Sequence, residues 1–321
     1  MSDALRAPRK LSMIAAFAAL YLIWGSTYLG IRLAIESIPP LLMAGTRFFL
    51  AGLIMFVIAR LQAPAKLSRA GWRSAFVVGA CLLFFGNGGV TVAEQWVPSG
   101  LASLLVATVP IYMALLAWLT GSSGRPRPLV LAGLAGGFVG VGILVGPALT
   151  SAPGDQSSHA GLGMLILLFG SLVWSIGSLY SRHAHASASP LFSSAQTMLC
   201  GGALMIVAGL ISGEASDFHP ERLTMVSLGA FTYLVLVGAV LGYTAYIWLL
   251  RHCHPAKVAT YAYVNPVVAV LLGSCFAGET LTGRTALAAA VIVGSVALVI
   301  TGEQTRRETA AQPAAAVAQT R

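Results

Sequence analysis

Apolar residues fill this chain in blocks of about twenty, divided by short polar breaks. Ten blocks can be drawn, at 13–34, 41–59, 74–93, 99–119, 129–146, 161–180, 190–211, 226–250, 256–277 and 285–301. Most are long enough to cross a hydrocarbon layer of about 30 Å as a helix. The runs are continuous rather than alternating, which argues against a membrane β-barrel. The longest polar breaks fall at 63–73, 151–159 and 212–222. From residue 302 the chain turns to Ala, Gln and Thr, and residues 302–321 are expected to form a disordered tail.

Within this pattern the block 256–277 is unusual, because Asn265-Pro266 interrupts it near the middle and Tyr261 and Tyr263 stand just before. Proline removes a backbone donor and obstructs the preceding turn. A carbonyl freed in hydrocarbon must find another partner, so a break here is expected to face protein or a water-filled cavity. Pro110 in the fourth block, followed by Tyr112, repeats the motif. Both prolines read as kinks that serve as gates, although a proline can also simply curve a helix around its neighbours.

Composition fixes the class. The chain is 57% hydrophobic and 9% charged, against about 25% charged in soluble domains. An all-α integral membrane protein of ten transmembrane helices follows. The net charge of +9 is distributed in short clusters between apolar blocks, which is how topology is encoded rather than how nucleic acid is bound. With the N-terminus inside, 15 of the 19 Lys and Arg residues lie on the inner side, so both termini are expected in the cytoplasm. The basic start, residues 1–12, reads as a cytoplasmic segment before a retained first helix. The four Cys show no CxxC or metal-ligand spacing, and neither metal nor cofactor is expected.

The chain also repeats itself. Trp24 and Trp174 are 150 residues apart, as are Arg32 and Arg182, Pro40 and Pro190, Gly52 and Gly202, and Met55 and Met205. An offset of 156 aligns Gly86 with Gly242 and Pro110 with Pro266. Two halves of five helices are implied, 13–146 and 161–301, joined by a periplasmic linker at 147–160. Five is odd, so the second half enters the membrane inverted. Inverted repeats are the architecture of alternating access, with cargo held between the halves at mid-membrane.

Polar and aromatic residues at that depth are the candidates for contact with cargo. They are Trp24, Thr27, Asn87, Tyr112, Trp174, Ser178, Tyr243, Tyr263 and Asn265. Gly86-Asn87-Gly88-Gly89 places four poor helix formers in a row, which loosens the backbone and supplies an amide. Ser178 reads first as plain helix packing with a bond to its own backbone, and second as a cavity contact. Arg47 lies inside the second block and Glu94 closes the third. Intramembrane charge costs about 2.5–3.5 kcal/mol on insertion scales, and the two are expected to pair, with Glu94 a possible proton carrier. Glu279 and Arg284 read as outer-surface residues. All six His fall in loops or at their edges.

Leu-Ile-Trp-Gly-Ser-Thr-Tyr at 22–28, Pro-Pro-Leu-Leu-Met-Ala-Gly-Thr-Arg-Phe at 39–48, Ala-Thr-Val-Pro-Ile at 107–111 and the 261–273 stretch followed by Gly278-Glu279-Thr280-Leu281 resemble the drug/metabolite transporter superfamily. The resemblance extends over nearly the whole chain and is to its EamA-type ten-helix permeases. It implies export of amino acids, metabolites or drugs across a bacterial inner membrane, through a cavity lined by the first, third, fourth, sixth, eighth and ninth helices. One departure is visible: the repeat partner of Gly278-Glu279 is Gly121-Ser122, without the acid.

Other classes fit less well. Exchange of sugar phosphates or nucleotide sugars calls for several cations in the cavity, whereas Arg47 stands alone and Lys10, Lys66 and Lys257 are cytoplasmic. A membrane enzyme needs a nucleophile-base or metal constellation, and no HExxH occurs and no Asp lies in any block. The expected partners are a small-molecule cargo and bilayer lipid, with a proton as the candidate coupling ion.

Overall fold

The computed structural model describes residues 10–62, 68–121, 126–149, 156–181, 189–252, 258 and 261–319. Among them all regular structure is helical. We number the spanning helices α1 (Lys10–Ala34), α2 (Pro40–Gln62), α3 (Arg69–Ala93), α4 (Ser99–Leu119), α5 (Pro128–Leu149), α6 (Gln156–Ser181), α7 (Pro190–Ile211), α8 (Met225–Leu249), α9 (Tyr261–Phe276) and α10 (Gly283–Gln319). Eight are long and apolar enough to cross a membrane, and α5 and α9 supply shorter apolar segments. The ten apolar blocks thus become ten helices. The segment 302–321, expected to be disordered, instead continues α10 as far as Gln319. Its alanines are the strongest helix formers and a helix is already nucleated behind them.

The helices pair in matched sets. α2 packs along α7 and α5 along α10, while α1 meets α8 and α9 and α6 meets α3 and α4. Small residues make the first of these crossings possible, since helices in lipid associate by close backbone approach. A Cβ on Gly202 of α7 would stand 2.6 Å from the Phe49 nitrogen and 2.9 Å from the Gly45 carbonyl oxygen of α2. Backbone cannot yield there, so Gly202→Val should strip the crossing, lowering the yield of folded protein and the unfolding temperature in detergent. Gly142→Val, where a Cβ meets nothing within 4 Å, should leave both unchanged.

Three helices depart from regular α geometry. α3 winds as a π-helix over Ala80–Gly88, which includes Gly86 and Asn87, and α8 does so over Leu234–Leu241. Such stretches are rare and favour functional sites, because the wider turn re-aims the side chains around it. α4 is divided into Ser99–Val106 and Val109–Leu119, with a turn at Ala107 and Thr108. Pro110 lies in the first turn of the second piece, where its missing N–H costs nothing. The break expected at Asn265-Pro266 does not form, and α9 runs as one helix through Pro266. The carbonyl that Pro266 leaves without a donor belongs to Ala262, which borders the central cavity rather than lipid.

Candidate functional site

Where the matched helices meet they leave a cavity of about 350 Å³, in the size range of small-molecule sites. Helices α1, α3, α4, α6, α8 and α9 line it, as the family resemblance implied, and α2 and α10 add Arg47, Phe48, Val299 and Ile300. The cavity has a direction. Along α4 its wall runs from Ser103 to Ala117, and along α6 from Leu167 to Leu179, each ending two residues short of the helix terminus. On α9 it takes in Tyr261, the first residue of the helix, and goes no further than Pro266, ten residues before Phe276, and on α8 it begins only at Leu234, nine residues after Met225. It therefore extends toward the face holding Leu119 and Ser181, the face that the Lys and Arg tally assigns to the cytoplasm.

Of the residues singled out in sequence, Trp24, Thr27, Gly86, Asn87, Pro110, Trp174, Tyr243, Asn265, Pro266 and Arg47 all border this cavity. The two tryptophans occupy equivalent niches. A Cβ on Gly242 would come 2.6 Å from the Trp24 ring, and one on Gly86 would come 2.6 Å from the Trp174 ring. Trp24 sits among three tyrosines, with ring centroids 5.5 Å from Tyr243, 5.2 Å from Tyr246 and 5.0 Å from Tyr261. No such tyrosine cage surrounds Trp174 among the described residues, so the cavity has one aromatic side. Thr27 turns its hydroxyl back to the Trp24 carbonyl at 2.6 Å.

Other candidates lie elsewhere. Ser178 donates to the Trp174 carbonyl of its own helix at 2.8 Å and stays out of the lining, as does Tyr112. The side chain of Tyr263 is outside the described residues. The expected Arg47–Glu94 ion pair does not form. Arg47 Nη2 instead donates to Asn87 Oδ1 at 3.3 Å, with the guanidinium 4.4 Å above the Phe48 ring. Glu94 is fully buried behind the lining with neither carboxylate oxygen hydrogen-bonded. Tyr261 and Tyr28, noted in their motifs but not counted among the cargo contacts, and Ser171, which sequence reasoning missed, also line the cavity. Helical spacing carries the signal for each: Tyr28 follows Trp24 by four, Ser171 precedes Trp174 by three and Tyr261 precedes Asn265 by four.

The opposite face is shut by bonds between the halves. Glu214 accepts from the backbone N–H groups of Leu41 at 3.1 Å and Leu42 at 2.8 Å, at the start of α2. Glu279 accepts from Ser99 N and Ser99 Oγ, each at 2.7 Å, and from Gly100 N at 3.0 Å, at the start of α4. Glu279 is thus no free surface residue. Both carboxylates meet unpaired donors at the positive end of a helix. Ser227 Oγ also donates across the halves to the Leu33 carbonyl at 2.7 Å, and within the first half Arg32 Nη1 donates to the Glu94 carbonyl at 2.6 Å.

Comparison with known proteins agrees with this geometry. The model of the EamA-like transporter family matches residues 11–146 and 161–301. The inner membrane transporter YedA of Escherichia coli (strain K12) is 39% identical over 294 residues, covering 91% of this chain and 92% of YedA. The chain belongs to the EamA-like transporter family. A Salmonella typhimurium relative named "Probable amino-acid metabolite efflux pump" is 27% identical over 294 residues, covering 89% of this chain and 93% of its own. One crystal structure shares the fold with a TM-score of 0.59 at 22% identity, covering 91% of this chain and 97% of that one.

As an EamA-like transporter of the bacterial inner membrane, the protein is a multi-pass carrier and not an enzyme. Its cavity suits that class. Most of the wall is apolar, Arg47 is the one charged side chain among the described residues that line it, and a few polar groups remain to orient a guest.

Proposed function

We propose that this transporter exports small metabolites, amino acids or related compounds, or drugs, by alternating access between two inverted five-helix halves. The observation that carries the reading is the matched pair of tryptophan niches, Trp24 on Gly242 and Trp174 on Gly86, facing one cavity from opposite halves. The reciprocal helix pairings support the same two-fold relation. In this arrangement the open face is cytoplasmic and the capped face periplasmic, so the protein stands ready to load from inside. Rocking one half against the other would release the caps at Glu214 and Glu279 while the cavity closes behind the cargo.

Proteoliposomes loaded with labelled amino acids, nucleosides or cationic drugs test this directly. The expected result is saturable, protein-dependent movement of at least one class, and movement of none under any gradient would end the proposal. A doubly charged phosphorylated cargo fits poorly, because one guanidinium cannot neutralise it. Glu94 is the residue to which this reading assigns proton coupling, being the one buried acid among the described residues, with neither carboxylate oxygen hydrogen-bonded. Glu94→Gln should keep binding but make transport indifferent to a pH gradient, read by imposing acid outside or inside the liposome. Transport by Glu94→Gln that still follows the gradient would remove Glu94 from the coupling.

A further inference from the structure

Glu279 shuts the capped face from a seat cleared for it by glycine. Its Oε1 takes Ser99 N and Ser99 Oγ, and its Oε2 takes Gly100 N. A Cβ on Gly273 would collide with Oε2, and one on Gly100 would stand 3.3 Å from it. These bonds are charge-assisted, and a carboxylate drawn out of them is left uncompensated unless another donor stands ready. Beside the seat lies a second cavity of about 140 Å³, bordered by Arg32, Gln95 and Trp96 from the first half and by Ala277 and Glu279 from the second. Arg32 lies in the last turn of α1 and is half-buried. Its guanidinium carries five N–H donors, and its hydrogen bond among the described residues goes to the Glu94 carbonyl of its own half. The one ion pair among the described residues is His219–Glu221. Arg32 and Glu279 therefore border one small cavity, from opposite halves, without an ion pair between them.

Resting on the alternating-access reading, we propose that Arg32 is a gating residue, the second seat of Glu279. When the halves part on the capped face, the carboxylate leaves the start of α4, crosses the small cavity and pairs with the guanidinium in two parallel bonds. One acid then holds the gate in each of its states, on backbone donors when the face is shut and on a side chain when it is open. A contact with two discrete positions is what makes an interface bistable. Neighbouring charges are placed less well for this. Arg284 is exposed at the start of α10 and borders neither cavity. Glu36, one turn beyond Arg32, is exposed and outside the small cavity. Glu94 offers Arg32 its carbonyl and not its carboxylate. The repeat makes the device one-sided, because Arg182 corresponds to Arg32 but Ser122 stands where the acid would be. The pair is thus encoded for the capped face alone.

The test is the rate at which a membrane-impermeant maleimide, added from the periplasmic side without cargo, labels a reporter cysteine at Ser103 in the full chain. Arg32→Gln should slow labelling by about twofold to fivefold, the range of a partly exposed ion pair, and Arg32→Lys should slow it less. Gly273→Ala puts a methyl where Oε2 sits, so it should speed labelling, and adding Arg32→Gln should cancel most of that gain. Arg284→Gln should leave the rate unchanged. Circular dichroism and size exclusion report whether each variant folds. A residue that merely ties α1 to the end of α3 would loosen the shut face when removed. Labelling of Arg32→Gln as fast as wild type or faster therefore overturns the proposal. So does a gain from Gly273→Ala that is equal with and without Arg32, or a slowing by Arg284→Gln as large as that by Arg32→Gln. A second reporter at Ala117, labelled from the cytoplasmic side, separates the latch from the reading beneath it. If Gly273→Ala moves the two reporters in opposite directions while Arg32→Gln moves neither, alternating access stands and the latch is removed. If Gly273→Ala moves neither reporter in a protein that still transports, alternating access fails and the latch falls with it.

Discussion

Trp24→Ala should reduce transport at least tenfold while the protein still folds. The indole touches Tyr243, Tyr246 and Tyr261 and fills the niche on Gly242. Removing a packed Trp side chain forfeits about 3–5 kcal/mol when the site cannot collapse. Trp24 is only half-buried, so much of that loss falls on the shape of the cavity rather than on the fold. Trp174→Ala should act in the same direction from the opposite half, and the double variant should show no transport. Trp118→Ala is the control, since Trp118 is 39% exposed near the end of α4 and outside the lining. Initial rates in proteoliposomes normalised to folded protein decide it. Equal rates for Trp24→Ala and Trp118→Ala would detach the aromatic side from the cargo.

Glu279→Ala has the second large expected effect, and it is on access rather than on binding. The carboxylate satisfies two backbone donors and one hydroxyl at the start of α4, from the opposite half of the chain. Cap removal costs about 0.5–2 kcal/mol, and here the loss falls only on the state in which the capped face is closed. The population should therefore move toward the state open on that face, by about tenfold for each 1.4 kcal/mol. Glu279→Gln retains one acceptor oxygen and should shift it less. A cysteine introduced at Ser103, just beneath the cap, reports the change as faster labelling by a membrane-impermeant maleimide from the periplasmic side. Unchanged labelling in Glu279→Ala would make this contact a mere packing feature.

The ten helices were legible because apolar runs in a membrane chain announce themselves by length alone, and their ends lie within a few residues of the observed ones for most helices. The cavity was legible in part. Trp24, Asn87, Trp174 and Asn265 stood out as polar or aromatic residues at mid-depth, and depth can be counted along a helix. Direction around a helix cannot be counted when nearly every face is apolar, since no amphipathic stripe marks the inside. For that reason Arg47 was matched in depth with Glu94 but bonds to Asn87, and Ser178 turned out to serve its own backbone. The π-helical stretch in α8, Leu-Val-Leu-Val-Gly-Ala-Val-Leu, has no composition to distinguish it. In α3 the run from Gly86 to Gly89 did signal a loosened backbone. The caps by Glu214 and Glu279 join residues more than 170 positions apart, a relation that local sequence does not carry.

The proposed function depends on one cavity that opens to one face at a time. Single cysteines at Ala117, near the open mouth, and at Ser103, beneath the capped face, measure this in right-side-out and inverted membrane vesicles. Ala117→Cys should react from the cytoplasmic side and lose reactivity as a translocated cargo is added, while Ser103→Cys gains it from the periplasmic side. Reactivity of both positions from one side, unaltered by any cargo that the protein moves, would contradict the account.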